Sequence, residues 1–138
     1  MNNHFELSDE EFLKAFKDCS LPPTLFNHEA HLRLAWIHLT EKGLEAGIKA
    51  VCHQITTYVN HLEAQSKYHV TLTIAAVRIV NHFRQSAKAD NFFDFILEFP
   101  QLKRDFKGLI GSHYSFNIFD SESARLHYLE PDLMPFEY

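Results

Sequence analysis

The stretch Phe26-Asn27-His28-Glu29-Ala30-His31-Leu32-Arg33-Leu34-Ala35-Trp36 sets both the fold class and the candidate chemistry of this chain. Asn27 is a good N-cap, because its side-chain oxygen can accept from backbone N–H groups of a first helical turn. Apolar residues then recur at helical spacing. With His28 at zero and about 100° per residue, Leu32 lies at ~40°, Leu39 at ~20° and Ala35 at ~340°. His31 lies at ~300°, while Glu29 and Arg33 fall off the stripe at ~100° and ~140°. The spacing predicts a helix to about Glu41, closed by Gly43, with His28 central on the buried face and His31 at its edge. A buried imidazole needs a partner for each ring nitrogen; a backbone carbonyl, a side chain, a water or a metal can serve.

Outward from this helix the pattern stays helical. Ser8-Asp9-Glu10-Glu11 is a capping box that opens a short helix bearing Phe12, Leu13 and Phe16. Pro22-Pro23 end it in an extended link. A third helix is expected from Leu44 to about Gln65, with Ile48, Val51, Cys52, Ile55, Val59 and Leu62 inward. After a break near Ser66-Lys67-Tyr68, a fourth should run from about Val70 to Ala87. Val70-Thr71-Leu72-Thr73 alternates like a strand, but the apolar spacing through Phe83 favours a helix. Asp90-Asn91 should cap a fifth helix that Pro100 ends. One or two further turns over Gln101 to Lys107, and a short helix near Ser121 to Tyr128, complete the expectation. It is an all-α single-domain bundle, 1–138, of five to seven helices. Residues 1–25 form the first helix and link, 26–110 the core helices and 111–138 an ordered tail packed on them.

Composition agrees. Of 138 residues, 46% are hydrophobic and 22% charged, as in an ordinary globular domain, and 13 are phenylalanine, which suggests an aromatic core. The net charge of −5 supplies no electrostatic reason to expect nucleic acid or an anionic membrane. No apolar run approaches the ~20 residues of a membrane span, and the first residues lack the features of a signal peptide. A cytoplasmic location is therefore the default expectation. Cys19 and Cys52 fit no metal spacing and read as free thiols.

The chemistry-bearing residues gather in a few places. His28 and His31 are one helical turn apart and can reach one point. His69 sits at the start of the fourth helix, and His113 lies in a glycine-bounded bend. Three neutral imidazoles suit a divalent transition metal such as zinc, iron or nickel. The same histidines could instead cap helices and bond to backbone. His28-Glu29-Ala30-His31 is one residue short of the His-Glu-x-x-His zinc-protease helix, so that activity is not carried over. Tyr68 beside His69, and Tyr114 beside His113, can orient an imidazole or act as acid or donor. Arg125 could bind a carboxylate or phosphate by its planar fork, or pair with a nearby acid and pin the tail. Trp36 is most simply core, and stands with Arg125 as a candidate substrate contact. The Phe-rich stretch Asn91 to Ile96 could be core, a pocket wall or a homodimer face.

The series Phe26-x-His28-x-x-His31-Leu32-x-x-Ala35-Trp36, Tyr68-His69-x-Thr71-Leu72-Thr73, His113-Tyr114-Ser115, Ser123-Ala124-Arg125 and Pro131-Asp132-Leu133 resembles an uncharacterised family of small all-helical bacterial proteins. The resemblance spans about Phe26 to Pro135. It implies an all-α single domain and supplies no activity, cofactor or partner.

Residue chemistry leads to one first expectation. It is a metal-binding protein or metal-dependent enzyme with a His-lined pocket between the second and fourth helices. His28, His31 and His69 would be ligands and His113 a fourth ligand or acid/base group. Tyr68, Tyr114 and Arg125 would orient a small polar substrate. Hydrolysis, hydration and oxygen-dependent oxidation all fit. The alternative is a non-enzymatic helical module that binds a small ligand or protein, its histidines a satisfied core network. A metal-free acid/base enzyme using His69 or His113 with Tyr is a third reading.

Overall fold

A computed structural model describes residues 2–136, and these are all-helical, with no strand among them. Eight α-helices form, one more than the upper expectation. The extra one arises because the turns after Pro100 split at Asp105, whose φ of −138° interrupts helical geometry. The chain divides into two compact units, Met1–Tyr68 and His69–Tyr138. The division falls at the expected break near Ser66-Lys67-Tyr68.

In the first unit, α1 (Asp9–Lys17) starts as its capping box dictates. Ser8 Oγ accepts from Glu11 N at 3.1 Å, and Glu11 Oε1 accepts from Ser8 N at 2.9 Å. Asn27 caps α2 (His28–Lys42) by accepting from Ala30 N at 2.9 Å. Gly43 ends that helix at φ +81°, a left-handed value that a side chain resists, and leads directly into α3 (Leu44–His61). Helices α1 and α2 both pack on α3. Phe16 stacks on Tyr58 of α3 at 4.6 Å between ring centres, and the Tyr58 hydroxyl donates to Leu21 O at 2.6 Å. Tyr58 thus replaces Val59 as an inward residue of α3.

The expected polar stripe on α2 is absent. Every residue from Leu32 to Leu39 is buried, Arg33 and His38 included, so this helix has no solvent face over two turns. His28 and His31, in contrast, are exposed, because they occupy the first turn, where the helix emerges from the core. This corrects the placement of His28 at the centre of the buried face.

In the second unit, α4 (Val70–Gln85) is helical from its first residue, so Val70 to Thr73 form no strand. Asn91 caps α5 (Phe92–Glu98). Then come α6 (Gln101–Arg104), α7 (Phe106–Gly111) and α8 (Glu122–Leu126), the last capped by Ser121 as expected. Helix α8 packs on α4. Thr71, fully buried on α4, donates to His127 O at 2.6 Å and accepts from Leu129 N at 3.0 Å, tying the chain after α8 to this helix. No helix among the described residues is long and apolar enough to cross a membrane.

Candidate functional site

The histidines sort by what their ring nitrogens already do. His69 is the N-cap of α4. Its Nδ1 accepts from Leu72 N at 3.0 Å, so the proton resides on Nε2, which donates to Ile118 O at 2.8 Å. Both nitrogens are committed to backbone, the capping role that was the alternative to metal ligation. A ligand role for His69 requires one of these bonds to break.

His31 donates from Nδ1 to Asn27 O at 2.9 Å and stacks on Phe26 at 3.8 Å. Solvent reaches the residue, yet the atoms packed around the ring strip water from it and pull its pKa down to about 4. His38, buried on α2, bonds Gln54 Oε1 through Nε2 at 2.9 Å. Its Nδ1 has no hydrogen-bond partner among the described residues, and burial lowers its pKa. His28 and His31 belong to the first unit, His69 and His113 to the second. Among the described residues no group of three or more His, Cys, Asp or Glu side chains is arranged to hold a metal ion.

The other candidates also have structural partners. Tyr68 is hydrogen-bonded to Cys52, whose thiol burial pushes up. The Tyr114 hydroxyl donates to Leu129 O at 2.7 Å, and burial drives its pKa upward. Trp36 is buried. Arg125 makes a two-pronged pair with Glu122 one turn before it, at 3.1 and 2.7 Å.

A buried polar cluster in the first unit had no sequence signal beyond an arginine on a helix. Arg33 donates to the backbone oxygens of His4 (2.7 Å) and Leu7 (2.8 Å) and to Asp9 Oδ1 (2.9 and 3.2 Å). It also lies over the Phe12 ring at 4.8 Å. His4, fully buried, accepts from Arg33 at Nδ1 (3.2 Å), which leaves its Nε2–H to donate to Glu29 Oε1 at 2.9 Å. The cluster clamps the N-terminal segment to α2.

The tail of the second unit builds a cleft that brings chemistry-bearing side chains together. Leu133 N donates to His113 O at 3.0 Å, His113 Nδ1 donates to Met134 O at 2.8 Å, and the His113 ring lies 4.3 Å from that of Phe136. Ser115 binds Asp132 through both N–H (2.9 Å) and hydroxyl. With α4 and the end of α7, this strap lines a part-open cleft of about 290 Å³. Ile79, Phe83, Leu109, Met134, Pro135 and Phe136 form its apolar wall; His82, Ser112 and His113 are its polar groups. Of these, only His113 was a candidate from sequence. The apolar end of the tail, Met134-Pro135-Phe136, was the signal available.

Fold and site thus define an all-helical protein with a small, mostly apolar cleft among its described residues. No protein-family model matches the chain, and neither does any curated protein or solved structure. The likeness to the helical bacterial family rests on its motifs alone.

Proposed function

We propose that this protein is a non-enzymatic helical module that binds a small molecule in the cleft between α4, the end of α7 and the tail strap. The cleft carries the reading. At about 290 Å³ it sits at the low end of the roughly 300–1,000 Å³ usual for small-molecule sites, and its apolar wall with a few polar groups is the usual composition of such a site. The histidine bonding supports it. His69 has both nitrogens on backbone, and His113 and His31 each bind a backbone carbonyl, as expected of struts. A screen of small fragments by amide chemical-shift perturbation tests the reading. Binding that shifts residues 79–83, 109–113 and 134–136, and that Leu109→Trp blocks, supports it. Absence of any perturbation there, or turnover of the bound molecule, overturns it.

One observation favours a second reading, a metal-dependent enzyme acting on a small polar substrate. His31 and His113 each donate Nδ1–H to a carbonyl, which leaves Nε2 as a lone-pair donor, the usual second-shell arrangement of a metal-bound imidazole. Zinc, iron or nickel would then bind through Nε2 of His31 in the first unit or of His113 in the second. Protein purified without a histidine tag decides between the readings. Less than about a tenth of an equivalent of metal, with no thermal stabilisation on adding any of the three ions, removes the second.

A further inference from the structure

The cleft has a hydrogen-bonding sense, and it selects a ligand class; this inference rests on the small-ligand reading. The Ser112 hydroxyl donates its proton to Leu109 O at 2.7 Å, so what Ser112 retains is acceptor capacity. His113 Nδ1 faces Met134 O at 2.8 Å. A carbonyl only accepts, so Nδ1 carries the proton, and the Nε2 of the neutral ring is an acceptor. The tautomer is held in place. His113 N–H bonds Ile110 O at 3.0 Å, its carbonyl accepts from Leu133 N at 3.0 Å, and its ring packs on Phe136.

The neutral His113 ring has no donor to spare, Ser112 can donate to a bound carboxylate or phosphate only by giving up its bond to Leu109 O, and among the described residues no lysine or arginine lines the cleft. His82 is exposed, so any bond from it to an anion competes with water. The remaining wall is apolar, and Phe83 and Phe136 offer aromatic surface to a ring. We infer that the cleft takes a small neutral aromatic molecule bearing one O–H or N–H donor, of the phenol or indole class, and discriminates against aromatic carboxylates.

The test is an amide chemical-shift titration of the full chain at about pH 8, where an ordinary imidazole is neutral. The probes are phenol and indole, their methylated counterparts anisole and N-methylindole, and benzoate. The expected result is perturbation of residues 79–83, 109–113 and 134–136, with phenol and indole binding about tenfold more tightly than the methylated probes and more tightly than benzoate. In Ser112→Ala, checked for fold by circular dichroism, the gap between phenol and anisole narrows. Equal binding of phenol and anisole, or strongest binding of benzoate, overturns the donor requirement and leaves the small-ligand reading standing. A gap unchanged in Ser112→Ala overturns the acceptor pair as its origin. If none of the probes perturbs the cleft, the small-ligand reading falls and this inference with it.

Discussion

Replacing Arg33 by methionine removes a guanidinium while keeping most of the aliphatic volume, and its effect can be worked out bond by bond. The residue is 4% exposed. Its loss takes the 3.2 Å donor from His4 Nδ1, in a fully buried ring, and one of two donors from His4 O, which keeps Leu7 N at 3.1 Å; together these cost about 2 kcal/mol. Leu7 O also loses its 2.8 Å donor, but Leu7 is only half-buried and water can partly replace it, for about 1 kcal/mol. The Asp9 carboxylate is 55% exposed, so the ion pair contributes at most about 1 kcal/mol. Arg33→Met should therefore destabilise by about 3–4 kcal/mol. With the unfolding entropy usual for this chain length, that is roughly 10 °C in Tm. Urea and thermal unfolding followed by circular dichroism measure it, with Asp9→Asn as the control, expected at about 1 kcal/mol or less. The carbonyl-clamp account is refuted if Arg33→Met loses less than about 1 kcal/mol, or if Asp9→Asn loses as much as Arg33→Met.

Three further outcomes follow from the geometry. Gly43→Ala meets no atom within 4 Å but places a side chain at φ +81°, so it should cost about 1 kcal/mol in a urea melt, all of it backbone strain. Thr71→Val keeps shape but strands His127 O and Leu129 N, and should cost about 2 kcal/mol; a loss within error of zero would show that water replaces the hydroxyl. His31 has a folded pKa of about 4 against an ordinary 6.5. Between those values the unfolded chain binds more protons than the native one, so stability is complete above 6.5 and falls as pH drops toward 4. The urea midpoint should fall between about pH 7 and about pH 5 in the wild type and fall less in His31→Gln; parallel profiles would contradict the assignment.

The parts of the fold legible in sequence are those decided by partners a few residues apart. Ser8, Asn27, Asn91 and Ser121 each cap the helix they precede. His69 was legible in the same way, as one of two options, because a cap needs only the next turn's N–H. Helical-wheel reasoning misplaced His28. It assumes one wet face along the helix, whereas α2 is buried all round in its middle and open only at its first turn. It missed Arg33 for the same reason. An arginine on a supposed polar face carries no sign that His4, Leu7 and Asp9 will close over it. The cleft was invisible because its walls come from three segments far apart in sequence, 79–83, 109–113 and 134–136.

By itself, the sequence determined the all-helical class, most helix starts and the sharp turn at Gly43, since caps and φ preferences are local and act before any core forms. Tertiary structure decided which of the open roles His69 and His113 took. Which nitrogen carries a proton depends on the carbonyl or amide facing it, and for His113 and His69 that partner lies 21 and 49 residues away. The fold supplied those partners, committing His69 to backbone and leaving His113 to offer an acceptor in an apolar cleft.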